Sequence, residues 1–235
     1  MTEMTVNDLD IGIWKARLLE FSPSPYTIKN DTTAGTGTLY PTLLHTSVSP
    51  LTLTVVLDVY GRDMPDAERR ASDLLLEMSG QCEIGGPDGY YYRSILQSSS
   101  RARSANWIVT LTVVFQSVRH GTLVTTPLPH GVSTVWCGSN VDTECVLQIT
   151  AQSDGVLVLR GFTPTNLRLQ LSAGDVLTVD GILKTITDAE GNNRFSDAEI
   201  SSFPKLSPGT NTVQWMSNGD DADYEVSLQH YPTFL

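Results

Sequence analysis

The sequence predicts a mainly β protein with a single α-helix, divided into two domains at residues 1–129 and 130–235. Three observations carry that reading. Only 17% of the 235 residues are charged, which favours strands and turns over long solvated helices. Apolar residues alternate at period two along Leu51–Val59 and again along Val109–Phe115. Short apolar runs beyond Pro129 are separated by turn-forming clusters, the pattern of a β-sandwich.

Elements follow in order. Ile11–Ile28 begins as an apolar stretch read as a strand, then meets Pro23 and Pro25, which restrict it to an edge or loop. NDTTAGTGTLYPTLLH, from Asn30, is rich in Thr and Gly and is expected to be a flexible loop. Leu51, Leu53, Val55, Leu57 and Val59 share one face of a strand, opposite Thr52, Thr54 and Asp58. In MPDAERRASDLLLEMSG, Pro65 suits a first helical turn, Asp66 and Glu68 its positive end, and Gly80 its stop. Ala67, Ala71, Leu74, Leu75 and Met78 form the helix's apolar stripe. Turns are expected at GGPDG and around Ser104–Asn106. A half-buried strand follows, with Trp107, Val109, Leu111, Val113 and Phe115 inward. His120–Ser133, interrupted by Pro and Gly, holds the domain boundary.

Beyond the boundary, ECVLQITAQ, GVLVLRG, NLRLQLSAG, DVLTVDGILKTITD, NTVQWMS and YEVSLQHYP read as strands. SDG, FTPT, SAGD, AEGNN and NGDDAD read as the turns between them. A jelly-roll-like module is expected.

Charge excludes some functions. The formal net charge of -11 and the absence of a Lys/Arg cluster argue against nucleic acid or an anionic membrane as a partner. No apolar run approaches the roughly 20 residues of a membrane span. Residues 1–129 carry 10 basic and 13 acidic side chains, and the remainder 5 and 13, so the acidity is concentrated in the second part. Cys82, Cys137 and Cys145 have no CxxC spacing, and Met1–Asp10 is polar, so a reducing compartment and buried free thiols are expected.

Catalytic chemistry finds no foothold. His45, His120, His130 and His230 lack a partner motif, and GxSxG, HExxH and GxxxxGK[ST] are absent. GTGTLY has neither a preceding strand nor a following helix to make it a phosphate loop. DAEGNN at Asp188 and NGDDAD at Asn218 offer oxygens for calcium, but Asn, Asp and Gly populate hairpin turns for conformational reasons alone. No catalytic residue, metal ligand or cofactor site is therefore expected. Trp136, Trp215 and Tyr224 could stack on a sugar ring, yet each is read first as core. Trp215, in alternation with Val213, is expected to face inward with its N–H paired.

FPKLSPGTNTVQW, Phe203–Trp215, is a corner launching a strand. With the order strand, helix, YYYRSIL hairpin, strand, sandwich, it resembles the distal tail proteins of long non-contractile-tailed bacteriophages. The resemblance rests most on Phe203, Pro204, Leu206, Pro208, Gly209, Asn211 and Val213, followed by Tyr231 and Pro232. It implies a tail-tube-like, ring-forming N-terminal domain and a galectin-like C-terminal sandwich. It also implies a non-catalytic hub of the virion's distal tail end, made in the host cytoplasm. That hub is a homo-hexameric ring joining the tail tube protein to a tail-tip fibre or lysin protein and serving receptor-binding proteins. The sugar-binding His, Asn, Arg and Trp spacing of galectins is not found. A carbohydrate-binding accessory module for host recognition is the alternative reading.

Overall fold

Wherever apolar residues alternate in the first 120 positions, the chain is extended. The computed structural model describes residues 4–33, 42–104, 107–162, 166–218 and 224–235. It divides into two units, Met1–His120 with Leu235, and Gly121–Phe234. The first unit opens with β1 (Thr5–Val6) and β2 (Leu9–Asp10). Ile11–Trp14, expected as strand, is instead a short 3-10 helix. The Asp10 carboxylate accepts from the Gly12 N–H at 2.5 Å, and Lys15 ends the turn with φ 55°. That local bonding competes with extension.

Next come β3 (Ala16–Pro23), β4 (Thr27–Thr33), β5 (Thr42–Ser49) and β6 (Leu51–Tyr60). α1 (Met64–Glu77) is followed by β7 (Gln81–Gly85), β8 (Tyr91–Ser104) and β9 (Ile108–His120). The main antiparallel sheet runs β2-β1-β7-β8-β9-β6-β3. β3 lies at its edge, as the two prolines require. Among the described residues, β4 and β5 pair only with each other. Asn30–Thr33 and Thr42–His45 are thus strand rather than loop, while residues 34–41, including GTGTLY, lie outside the described residues.

α1 packs its predicted stripe inward: Ala67, Ala71, Leu74 and Met78 are fully buried against the alternating faces of β6 and β9. The Asp63 carboxylate caps the helix by accepting from the Asp66 N–H at 2.8 Å, and Gly80 leaves it with φ 92°. Asp66 does more than favour the positive helix end. Its carboxylate accepts from the Arg62 N–H at 3.0 Å and pairs with Arg69 and Arg70 at 3.0 and 3.1 Å. These donors, the Arg62 N–H foremost, hold its carboxyl well below the usual carboxylate range. Trp107 departs from the expected inward row: it precedes β9 in a turn, has φ 61° and is 55% exposed. Ala105 and Asn106 lie outside the described residues.

The second unit comprises β10 (Val124–Leu128), β11 (Gly131–Cys137), β12 (Thr143–Ala151), β13 (Gly155–Arg160) and β14 (Leu167–Leu171). It continues with β15 (Val176–Asp180), β16 (Thr185–Asp188), β17 (Ala198–Glu199), β18 (Lys205–Leu206), β19 (Gly209–Ser217) and β20 (Tyr224–His230). One sheet runs β10-β20-β12-β15-β16, with β18 also on β12; the other runs β11-β19-β13-β14-β17. Inward residues of both sheets, among them Leu147, Ile149, Leu159, Leu169, Val179, Val213 and Leu228, form one core. Two antiparallel sheets with a shared core make a sandwich.

Three details differ from expectation. DVLTVDGILKTITD is a hairpin, because the Asp180 carboxylate accepts from the Ile182 and Leu183 N–H groups at 2.7 and 2.8 Å and turns the chain. The second unit begins at Gly121 rather than at residue 130, since Val124–Leu128 pairs with β20 of that unit. GVSTVWC, expected to be boundary loop at its start, is all strand.

Candidate functional site

The four histidines occupy four separate settings. His45 lies in β5. His120, buried at the end of β9, has Nε2 3.4 Å from a Glu83 carboxylate oxygen and stacks on Tyr91. His130 is exposed and meets the Trp215 ring edge-on at 4.8 Å. His230 is buried opposite Cys145 in the β12–β20 register, a juxtaposition hidden from the sequence by the long stretch of chain between them. No group of three or more His, Cys, Asp or Glu side chains is placed to hold a metal among the described residues. All three cysteines are free and buried, and burial pushes the Cys82 thiol up to about 11 and raises that of Cys145 as well, which keeps these two out of thiolate chemistry.

His230 has a consequence for stability. Burial pushes its pKa below the ordinary 6.5. Between the folded value and 6.5 the unfolded chain binds more protons, so stability present above 6.5 is lost as the pH falls through this window. Denaturation midpoints measured from pH 7.5 to 5 should therefore fall for the wild type, and the fall should shrink in His230→Gln.

The described residues of the two acidic turns use their oxygens internally. At DAEGNN the Asp188 carboxylate accepts from the N–H groups of Glu190 and Asn192 at 3.1 and 2.8 Å and from the Asn192 amide at 3.0 Å. These bonds hold its pKa below the usual carboxylate range. At NGDDAD, Asn218 accepts from the Val156 N–H at 2.7 Å, and residues 219–223 lie outside the described residues.

The three aromatic candidates separate. Trp215 is 2% exposed, its Nε1–H donates to the Leu128 carbonyl at 2.9 Å, and it meets Tyr224 edge-on at 6.2 Å. Tyr224 is core as well. Trp136 is not: it is 68% exposed on the outer side of β11. Its ring lies near the backbones of Gly138 and Gly209, where an added Cβ would sit 3.8 Å from it in each case. A hollow of about 770 Å³ opens beside Trp215, with Pro127, His130, Gln148 and Glu225 among its lining residues. Its rim polar groups engage their neighbours: Gln152 donates to Glu225 and Gln229 to Gln148. Among the described residues, no hydrogen bond in it joins a nucleophile to a base.

The Phe203–Trp215 corner is held by Asn211. Its side-chain oxygen accepts from the Ser207 N–H at 2.9 Å, while its amide donates to the carbonyls of Ser207 and Gly209 at 2.8 and 3.1 Å. Gly209 has φ 87°, a conformation glycine adopts without strain. Asn211→Ala should cost about 1–3 kcal/mol by leaving these backbone groups unpaired, measured as a lower chemical-denaturation midpoint of the second unit.

No family model matches the sequence, and no curated protein matches it. Solved structures do match the fold. The crystal structure of the Dit protein of phage SPP1, described as a paradigm of the hub adsorption apparatus in phages infecting Gram-positive bacteria, superposes with a TM-score of 0.69. The likeness covers 99% of each chain at 14% identity. The chain has the fold of a phage hub protein. A chain of the phage P2 baseplate in its activated conformation is also similar, with TM-scores of 0.61 for the Ca form and 0.60 for the Sr form. Each match is at 10% identity and covers 96% of this chain and 94% of the other.

Within the hub fold, the residues that carried the sequence resemblance are turn and core positions. Pro204, Leu206, Asn211 and Val213 are buried, and the Pro204 carbonyl accepts from the Cys145 N–H at 3.3 Å. The segment is legible because its chemistry builds a corner.

The hub fold also displays surface that the unit itself does not cover. Every described side chain of the β4–β5 hairpin is exposed except the half-buried Ser47, leaving Ile28, Leu43, Leu44 and Val48 at 41–66% exposure.

Proposed function

We propose that this chain is a non-catalytic hub of a bacteriophage tail tip. Copies of it close into a ring, six by the resemblance, joining the tail tube to a tip fibre or lysin protein and offering attachment surfaces to receptor-binding proteins. The observation that carries this reading is the likeness of fold to the SPP1 Dit protein over 99% of both chains, two units included.

Two features of the first unit support it. The β4–β5 hairpin exposes Ile28, Leu43, Leu44 and Val48 and pairs with no other strand among the described residues. A lone two-stranded hairpin is marginal in water, so a neighbour is needed to cover it. β8 runs past the end of β7, and its residues 97–104 are exposed, with one edge left for a neighbour. Two dissimilar surfaces on one unit suit a head-to-tail contact, which closes into a ring at a fixed rotation.

The carbohydrate-binding reading has less support, because Trp215 and Tyr224, two of its three aromatic candidates, are core. Cryomicroscopy of the virion that encodes the chain tests the proposal: density for it is expected at the distal end of the tail, between tube and fibre. Purified virions that lack the chain would contradict it.

A further inference from the structure

Among the described residues, β11 ends its sheet, pairing with β19 on one side only. Sheet edges present rows of N–H and C=O groups, which proteins guard with charge, proline, bulges or short length. The other edges of the sandwich are guarded. Pro127 interrupts β10, and β17 has two residues. β16 is covered by the returning chain, where Asn193 bridges Thr187 and the Arg194 N–H donates to the Ile186 carbonyl at 2.8 Å. β11 reads Gly-Val-Ser-Thr-Val-Trp-Cys, seven residues without charge, proline or bulge, and its neighbour β19 is uncharged too. Val132 and Trp136 stand on its outer side, 63% and 68% exposed, with exposed Thr134 between them.

We propose that β11 is a self-complementary edge that pairs with β11 of a second copy of this chain, antiparallel and centred on Thr134. The register is what identifies the occupant. Centred there, Thr134 faces its own counterpart, Val132 faces Trp136 of the second copy, and Trp136 faces Val132. Directly opposed side chains lie about 4.5–5.5 Å apart, and aromatic with β-branched is a favourable pair. Moving the centre to Val135 would set Trp136 against Thr134 and Val132 against Gly138, so the apolar pairs specify one alignment. Because each contact occurs twice by symmetry, the interface closes at two copies. The two sheets then continue across it.

Charge agrees with this occupant. Two copies at -11 repel each other, but they meet where neither strand carries charge. Salt screens that repulsion, with a Debye length of about 10 Å at 0.1 M, so the pairing should strengthen as salt rises. One strand pair is smaller than a standard interface of about 800 Å² per partner, so the association should depend on concentration. The inference does not rest on ring formation: single copies would pair as dimers, and a ring, whose copies each carry a β11, would pair with a second ring.

Sedimentation velocity of the full chain over a concentration series tests the inference. The wild type should shift toward twice its basic mass, more readily at 0.5 than at 0.05 M NaCl. Trp136→Ala should weaken this roughly fivefold, from two lost cross-strand pairs. Thr134→Lys should abolish it with an unchanged melting curve. If Thr134→Lys melts early, Val132→Lys carries the same test. Doubling that survives the lysine variants, doubling that weakens with salt, or a wild type that never doubles would each overturn the proposal.

Discussion

Trp215→Ala is expected to destabilise the second unit by about 3–5 kcal/mol, the range for removing a buried Trp or Phe, and to lower its melting temperature by roughly 12 °C or more. The indole belongs to the shared core between the sheets and is 2% exposed. Its N–H satisfies the Leu128 carbonyl at 2.9 Å, so the substitution leaves a cavity and an unpaired carbonyl together. Trp136→Ala provides the contrast. That side chain is 68% exposed, and its loss should move the melting temperature by no more than an ordinary surface substitution. Calorimetry of both variants, at a concentration too low for self-association, checks the pair.

Gly161→Ala should be nearly as damaging, by about 3 kcal/mol from left-handed backbone strain and overpacking together. Gly161 has φ 89°, and a Cβ there would lie 2.0 Å from the Thr212 carbonyl oxygen. Thr212 cannot move aside cheaply, because β19 is paired on both flanks, with β11 and with β13. Gly131→Ala separates the two causes: φ is 91° but a Cβ would meet nothing within 4 Å. Its cost should be the backbone strain alone, about 1–2 kcal/mol. Urea midpoints of the two variants measure the difference.

Much of this fold is local chemistry and was legible. Leu51–Val59 alternates because one face is buried under α1, and α1 starts and stops where Asp63, Pro65 and Gly80 place it. What escaped was set by tertiary partners. Trp136 and Trp215 both alternate with valine, and no local signal says which face of a strand meets the opposite sheet. Asp66 reads as a residue suited to a helix start, but its pairing with Arg69 and Arg70 under a nearly complete cover is a matter of packing. Asn30–His45 is too polar and Gly-rich to announce strands, and β4 and β5 pair there without a buried face to impose a pattern. Val124–Leu128 was masked by Pro127, which an edge strand tolerates.

The central claim is that the chain assembles into a closed ring, and native mass spectrometry of the purified full chain tests it most directly. The account predicts a dominant species of about six copies, or its double, and loss of that species in Leu43→Asp/Leu44→Asp, whose exposed hairpin residues then carry charge into the contact. A wild type that stays monomeric at high concentration, or a variant that assembles unchanged, would contradict it.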